Sequence, residues 1–290
     1  MMLRIFDVEH GACAMLMPPV SSRLAMIDCG HNVSTNWRPS RYIRNELDRT
    51  IVNYLFLTNA DQDHISDLNG LWENQINVET VYRNRTIDAT YLRDLKQQNG
   101  SLTDDLERYL AIDAYYNGPI SEPFDQFMDG VTCSIFKNAY PDFLNTNDLS
   151  LAVFFKFSNF KILFPGDLED ASWRALLADP TFREELAGTT IFVASHHGRW
   201  NGYCAEIFEH FTPQAIVISD KPIVHDTQDF PDYRYVVDLE GVVVHGQRRR
   251  RHVLTTRRDG DIIFKVHPDG RYEISTSKGN DQAATLLDVR

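Results

Sequence analysis

The chain has 290 residues, of which 43% are apolar and 11% aromatic, enough for a sizeable globular core. No stretch approaches the roughly 18 consecutive apolar residues that a bilayer-spanning helix needs. A formal charge of -12 excludes a broad nucleic-acid-coating surface, which would be basic, but leaves room for an enzyme that handles phosphates through a bound metal.

Asp7, Glu9 and His10 stand where a signal peptide needs its apolar stretch, so a cytoplasmic location is expected. From there, runs rich in β-branched and aromatic residues predict strands at 3–8, 12–17, 24–27, 54–57, 80–82, 131–136, 151–157, 161–164, 191–194, 215–218, 253–255, 262–266 and 272–275. Helix-like patterns lie between them at 41–48, 65–73, 89–98, 103–114, 171–178, 182–186 and 204–211. Residues 254–261 read as a β-hairpin closed by the Asp259-Gly260 turn. Strands cluster early, alternate with helices, then cluster again, which suits two packed sheets with helices outside better than a doubly wound sheet. Without a linker-like segment, residues 1–275 are expected to form a single domain and 276–290 a loosely ordered tail. The four cysteines (Cys13, Cys29, Cys133, Cys204) form no CxxC pair, so buried free thiols are expected, with Cys29 set apart by its place in the Asp28-Cys29-Gly30-His31 turn.

Three strands end in groups suited to a divalent ion. Asp61, Asp63 and His64 follow the run 54–57, and their close spacing lets several point into one cavity. A polar turn with an Asp helix cap is the plainer alternative. Asp167 follows 161–164 through Gly166, which permits an unusual backbone turn. His196, His197 and Gly198 follow 191–194, and a strand ending in two histidines and a glycine is the least common of the three patterns.

In this order the elements resemble the metallo-β-lactamase superfamily, whose signature is His-x-His-x-Asp-His, then a strand with Gly-Asp, then a late histidine. The variant most similar is the hydrolase domain of the competence protein ComEC and its soluble relatives. Its motifs are matched by Asp7-Val8-Glu9-His10-Gly11, Ile27-Asp28-Cys29-Gly30, Asn147-Asp148-Leu149-Ser150-Leu151 and His196-His197-Gly198. The resemblance implies an α/β fold, an αββα sandwich of two mixed sheets with helices on the outer faces. It implies a metal site drawn from Asp61, Asp63, His64, Asp167 and His196 or His197. Departures fall on one half of that site: Asn59 and Asp61 replace the first motif's two leading histidines, and Asn147 replaces a later one. What remains there is oxygen-rich, with Asn59 and Asn147 as candidate amide-oxygen donors. Manganese or magnesium is therefore expected at least as readily as zinc, as one or two ions.

The implied chemistry is attack by a metal-activated water, with Asp167 bridging or holding it, Asp63 orienting it or acting as base, and His197 or His196 as a proton donor. A phosphodiester in nucleic acid or a small nucleotide is the expected substrate. Two other readings stay open: a weakly active or non-catalytic scaffold or sensor, favoured by the missing histidines, and a hydrolase of esters, thioesters or amides. His10 and His31, in the early turns, and His225 with Asp226 are candidates for contact with substrate. Arg248 and Arg249, opening the run Arg248–Arg251, are candidates for holding an anion, against the plainer reading of a solvated loop. His210, His245, His252 and His267 are expected to be surface or packing residues. A protein partner or homo-oligomer is compatible with the sequence, and no membrane partner is expected.

Overall fold

A computed structural model of the chain describes residues 1–98, 100–119, 124, 126–221 and 231–278. Its strands, in chain order, are β1 (Met2–Ile5), β2 (Ala14–Met17), β3 (Ala25–Ile27), β4 (Ile51–Phe56), β5 (Asn77–Tyr82), β6 (Thr132–Lys137), β7 (Leu151–Phe157), β8 (Phe160–Phe164), β9 (Ile191–Val193), β10 (Ala215–Ile218), β11 (Val253–Thr255), β12 (Ile262–Val266) and β13 (Tyr272–Thr276). They form a seven-stranded sheet in the order β13-β12-β1-β2-β3-β4-β5 and a six-stranded sheet in the order β11-β10-β9-β8-β7-β6. Each sheet is mixed. The first runs antiparallel through β3 and parallel through β4 and β5, and the second is antiparallel from β6 to β8 and parallel from β8 to β11.

The period-two alternation of strand side chains explains the layering. In β7, Leu151, Val153, Phe155 and Phe157 enter the core between the sheets, whereas Ala152 and Phe154 face outward against Trp173 and Phe182. In the first sheet Leu3, Ile5, Leu16 and Phe56 face inward, and Met15, Met26, Leu55 and Leu57 pack against Ile65, Leu68, Leu71 and Leu110 on the outer side. Helices Leu68–Glu73, Ala89–Gln97 and Asp104–Tyr115 cover one outer face, and Asp170–Leu177 and Pro180–Leu186 the other. The result is the expected αββα sandwich of the α/β class. Cys13, Cys29, Cys133 and Cys204 are free, and all but the half-buried Cys133 are buried. Among the described residues no helix is long and apolar enough to cross a membrane.

Local differences have identifiable causes. The stretch 65–73 splits into Gln62–Ile65 and Leu68–Glu73, because Asp67 leaves helical geometry and its carboxylate caps Ser40 N–H at 2.8 Å. The stretch 41–48 continues Pro39–Arg41 as a wide turn closed by Leu47 N–H to Tyr42 O at 3.0 Å. The stretch 204–211 tightens to the short 3-10 turn Ala205–Glu209. No hairpin forms over 254–261, since β11 and β12 belong to different sheets and are joined by the helical turn Thr256–Asp259. Asp259 fixes that turn: its carboxylate accepts from Thr255 N–H and from both Nη atoms of Arg251, each at 2.9 Å. Strand β13 includes Thr276, and residues 279–290 of the expected tail lie outside the described residues.

Candidate metal centre

The loops after β4, β8 and β9 bring four side chains together. Asp63, His64, Asp167 and His197 each place one ligand atom within 4.8 Å of the others. His64 Nε2 lies 3.1 Å from Asp167 Oδ1, and His197 Nε2 lies 3.1 Å from Asp63 Oδ2 and 3.5 Å from Asp167 Oδ1. The backbone packs closely to achieve this. A Cβ on Gly30 would sit 2.6 Å from the Asp63 carbonyl oxygen, so the Ile27-Asp28-Cys29-Gly30 turn needs glycine to approach the ligand loop. His196 and His197 both adopt left-handed φ, 50° and 55°, a conformation that costs a non-glycine residue of order 1 kcal/mol or more. That turn reverses the chain after β9 and separates the two rings. His197 enters the cluster, while His196 Nδ1 lies 3.6 Å from Glu169 Oε1 and its Nε2 lies 3.3 Å from Arg199.

Outer partners set the tautomers of the two clustered imidazoles. Asp28 accepts from Thr58 N–H at 2.7 Å and from Thr58 Oγ1 at 2.5 Å, and its Oδ2 lies 2.9 Å from His64 Nδ1. His197 Nδ1 donates to the Ser219 carbonyl at 3.0 Å. With both Nδ1 atoms acting as donors, the neutral form of each imidazole turns its Nε2 lone pair into the cluster, the arrangement a metal ligand needs. Burial raises the Asp28 carboxyl above its ordinary range, against the pull of His64. Burial opposes charge on His64, yet Asp167, Asp28 and Asp63 together outweigh it and push the imidazole well above its usual pKa. His197 is raised in the same way, against burial, by Asp167 and Asp63. Asp167 is held down to about 2 because His64 and His197 overcome its burial, and Asp63 is depressed by the same two rings.

The remaining candidates lie elsewhere. Asp61 pairs with the ammonium of Lys96 and accepts from Thr146 Oγ1 at 3.1 Å. Asn59 Nδ2 donates to Asn147 Oδ1 at 3.1 Å and to Asp167 Oδ2 at 3.3 Å, and Asn147 Nδ2 donates to Glu169 at 3.0 Å. His10 sits at the rim, 3.6 Å from Asp63 Oδ2 and with its ring centroid 4.3 Å from that of His197. Burial and His197 lower the His10 pKa to about 3. His31 is fixed by its backbone N–H to Ser66 Oγ at 3.0 Å, and among the described residues no hydrogen bond or ion pair joins its ring to the four. His225 and Asp226 lie outside the described residues. Arg248 and Arg249 stand exposed, with no ion pair to any described residue. His245 is exposed, whereas His210, His252 and His267 are half-buried.

Sequence reasoning did not assign roles to Asp28, Arg199, Lys96 or Ser219. Asp28 had a visible signal in its Asp-x-Gly turn, and Arg199 directly follows His-His-Gly. Arg199 bridges the rim: its Nη1 lies 3.3 Å from His196 Nε2 and its Nη2 3.3 Å from His10 Nε2. Lys96 gives no local signal, because its role depends on how the helix Ala89–Gln97 packs.

No family model matches the chain, and no curated protein matches it. Among solved structures, it is similar to a metallo hydrolase from the archaeon Ignicoccus hospitalis, at 13% identity over 92% of this chain and 100% of that one, with a TM-score of 0.49. A diphosphatase of the PhnP family matches at 12% identity over 91% and 98%, TM-score 0.43. A metallo-β-lactamase superfamily protein from Sulfolobus tokodaii matches at 19% identity over 57% and 62%, TM-score 0.32.

Proposed function

We propose that the chain is a metal-dependent hydrolase of phosphodiesters, with Asp63, His64, Asp167 and His197 as the ligands of one divalent ion. The observation that carries this reading is the convergence of the four, with His64 Nε2, Asp167 Oδ1 and His197 Nε2 buried and without hydrogen-bond partners. Buried polar atoms are rarely left unpaired, and three facing one point fit a cation held between them. Two imidazoles and two carboxylates suit zinc or manganese better than magnesium.

A bound ion would supply Lewis acidity, lowering the pKa of water and neutralising charge that develops on a phosphoryl oxygen. The chain's own groups supply the rest. Asp28 and Ser219 hold the imidazoles in the ligating tautomer. Arg199 and His10 form a rim that receives an anionic oxygen, and the buried, unpartnered Arg199 Nε and His10 Nδ1 are available as polar contacts there. Glu169, bonded to Asn147 and Asn201 at 3.0 and 2.9 Å, lies 3.6 Å from His196 Nδ1, and burial lowers the His196 pKa, so that imidazole stands beside the rim as a neutral group able to relay a proton.

A single ion is favoured over two. The Lys96 ammonium already neutralises Asp61, and the amide NH₂ of Asn59 already occupies Asp167 Oδ2, so the neighbouring position presents donors instead of ligands. The same engagement of Asn59, Asp61 and Asn147 is what favours a non-catalytic scaffold. Metal content after purification, followed by hydrolysis of bis-(p-nitrophenyl) phosphate with added Mn²⁺, Mg²⁺ or Zn²⁺, separates the two. We expect about one ion per chain, and in Asp167→Asn a loss of ion and a rate reduction beyond the roughly 100-fold that removing an outer partner causes. Metal-loaded protein without turnover would leave the scaffold reading standing.

A further inference from the structure

We propose that a cavity on the edge strand β11 is a binding site for a compact oligophosphate anion, separate from the metal centre. The cavity has a volume of about 410 Å³ and is lined by Arg234, Arg250, Arg251, Arg257 and Arg258, with Thr255 among them. Among the described residues no acidic side chain lines it. Three of the five arginines are paired with carboxylates, Arg250 with Glu240 at 3.7 Å, Arg251 with Asp259 and Arg257 with Asp220, so the excess positive charge in this concavity comes from Arg234 and Arg258.

Part of this lining is fixed before any ligand arrives. Arg251 makes a two-point contact with the buried Asp259 at 2.9 Å, and Arg257 lies 2.9 Å from Asp220. Arg250 donates to the carbonyls of Glu240 and Gly241 at 2.6 and 3.1 Å. Arg234 and Arg258 are exposed and pair with no carboxylate among the described residues. Three held guanidinia and two free arms make a preorganised floor with closing contacts, a geometry matched to the several oxygens of linked phosphates.

A second observation points to a ligand. Thr255 Oγ1 is buried and has no hydrogen-bond partner, and its residue lines the cavity. A buried hydroxyl without a partner is costly, and a turn of the Thr255 side chain toward the cavity would let a phosphate oxygen satisfy it. The volume falls within the roughly 300–1,000 Å³ of small-molecule sites. Among the described residues no Phe, Tyr or Trp lines it to stack a base, so the phosphates are the part of a ligand that its arginines address.

Calorimetric titration of chelator-treated, metal-free protein with inorganic tripolyphosphate tests the assignment, because no ion is then present at the other centre. Saturable one-to-one binding that weakens with salt is expected. The double variant Arg234→Gln/Arg258→Gln should weaken it about tenfold or more, by loss of two charge-assisted contacts. Thr255→Val should weaken it without lowering the melting temperature, since its hydroxyl has no partner to lose. Asp167→Asn should leave it unchanged. Adenosine triphosphate should bind about as tightly as tripolyphosphate. Absence of saturable binding overturns the proposal, as does binding lost in Asp167→Asn but kept in the arginine double variant. Binding confined to the nucleotide, or much tighter binding of single-stranded DNA than of tripolyphosphate, would equally overturn it.

Discussion

Asp61 and Asp63 stand two positions apart after the same strand and enter different electrostatic settings. Asp63 meets His64 and His197 and is driven to low pKa by them, with its Oδ2 3.1 Å from His197 Nε2. Asp61 meets an ammonium delivered by the helix Ala89–Gln97 and a hydroxyl from Thr146. On one side the compensating charge comes from two imidazoles, which the proposed ion would replace, and on the other from an ammonium. The contrast shows why identical side chains in one motif cannot be assigned one role from spacing alone.

The sharpest way to break this comparison is to disturb the metal side through a residue that is not itself a ligand. Asp28→Asn keeps the volume and can still accept from Thr58 N–H, but its amide would face His64 Nδ1 with a donor. The imidazole would then present a proton to the ion at Nε2. We expect ion affinity to fall roughly 10- to 100-fold, with the fold retained. Competitive titration against a chromogenic chelator measures it, and an unchanged affinity would remove Asp28 from the assembly.

The same contrast marks what was legible beforehand. Every strand among the described residues was visible because the runs are rich in aromatic and β-branched residues, as in Leu151–Phe157. The hairpin reading of 254–261 failed because the turn chemistry of Asp259-Gly260 was read locally. What decides the outcome is the pairing of β11 with β10 and of β12 with β1, in opposite sheets. Within the site, residues that end strands were legible: Asp63, His64, Asp167 and His197 all follow apolar runs. Partners supplied by distant packing were not. Nothing near Lys96 in the chain marks it as the counter-ion of a carboxylate 35 positions away.

Lys96→Ala sharpens the comparison from the other side. Removing the ammonium leaves Asp61 half-buried without its cation, beside Asn59 and Asn147. We expect a second, weaker ion to become measurable, raising the content from about one per chain toward two at high metal concentration. The first site's affinity should change by no more than about threefold, since surface-accessible charge pairs are worth little. Native mass spectrometry and metal analysis report the count. Two tightly held ions in the unaltered protein, or loss of the first ion in the variant, would show that the two carboxylates act as one site.

The smallest effect expected is a pH dependence of thermal stability, whose sign differs with and without metal. In metal-free protein Asp63 and Asp167 have depressed folded pKa values. Their stabilisation is therefore complete above the ordinary carboxylate range and is lost as pH falls, toward about 2 for Asp167. His64 and His197 are raised, so their stabilisation is complete below about 6.5 and is lost as pH climbs through their folded values. The metal-free cluster thus stabilises most between about pH 4 and 6.5. A bound ion requires neutral imidazoles and must displace those protons, so its own stabilisation grows as pH rises. At 100 times its dissociation constant it contributes about 2.7 kcal/mol, or several degrees for a chain of this size. Differential scanning fluorimetry at fixed metal concentration should show an upward shift in Tm that increases between about pH 6 and 8.5. His10, kept near 3 by burial and His197, stays neutral throughout and contributes nothing to the slope. A shift independent of pH would mean that the ion does not compete with protons at His64 and His197, and the distinction between the Asp63 and Asp61 sides would lose its electrostatic basis.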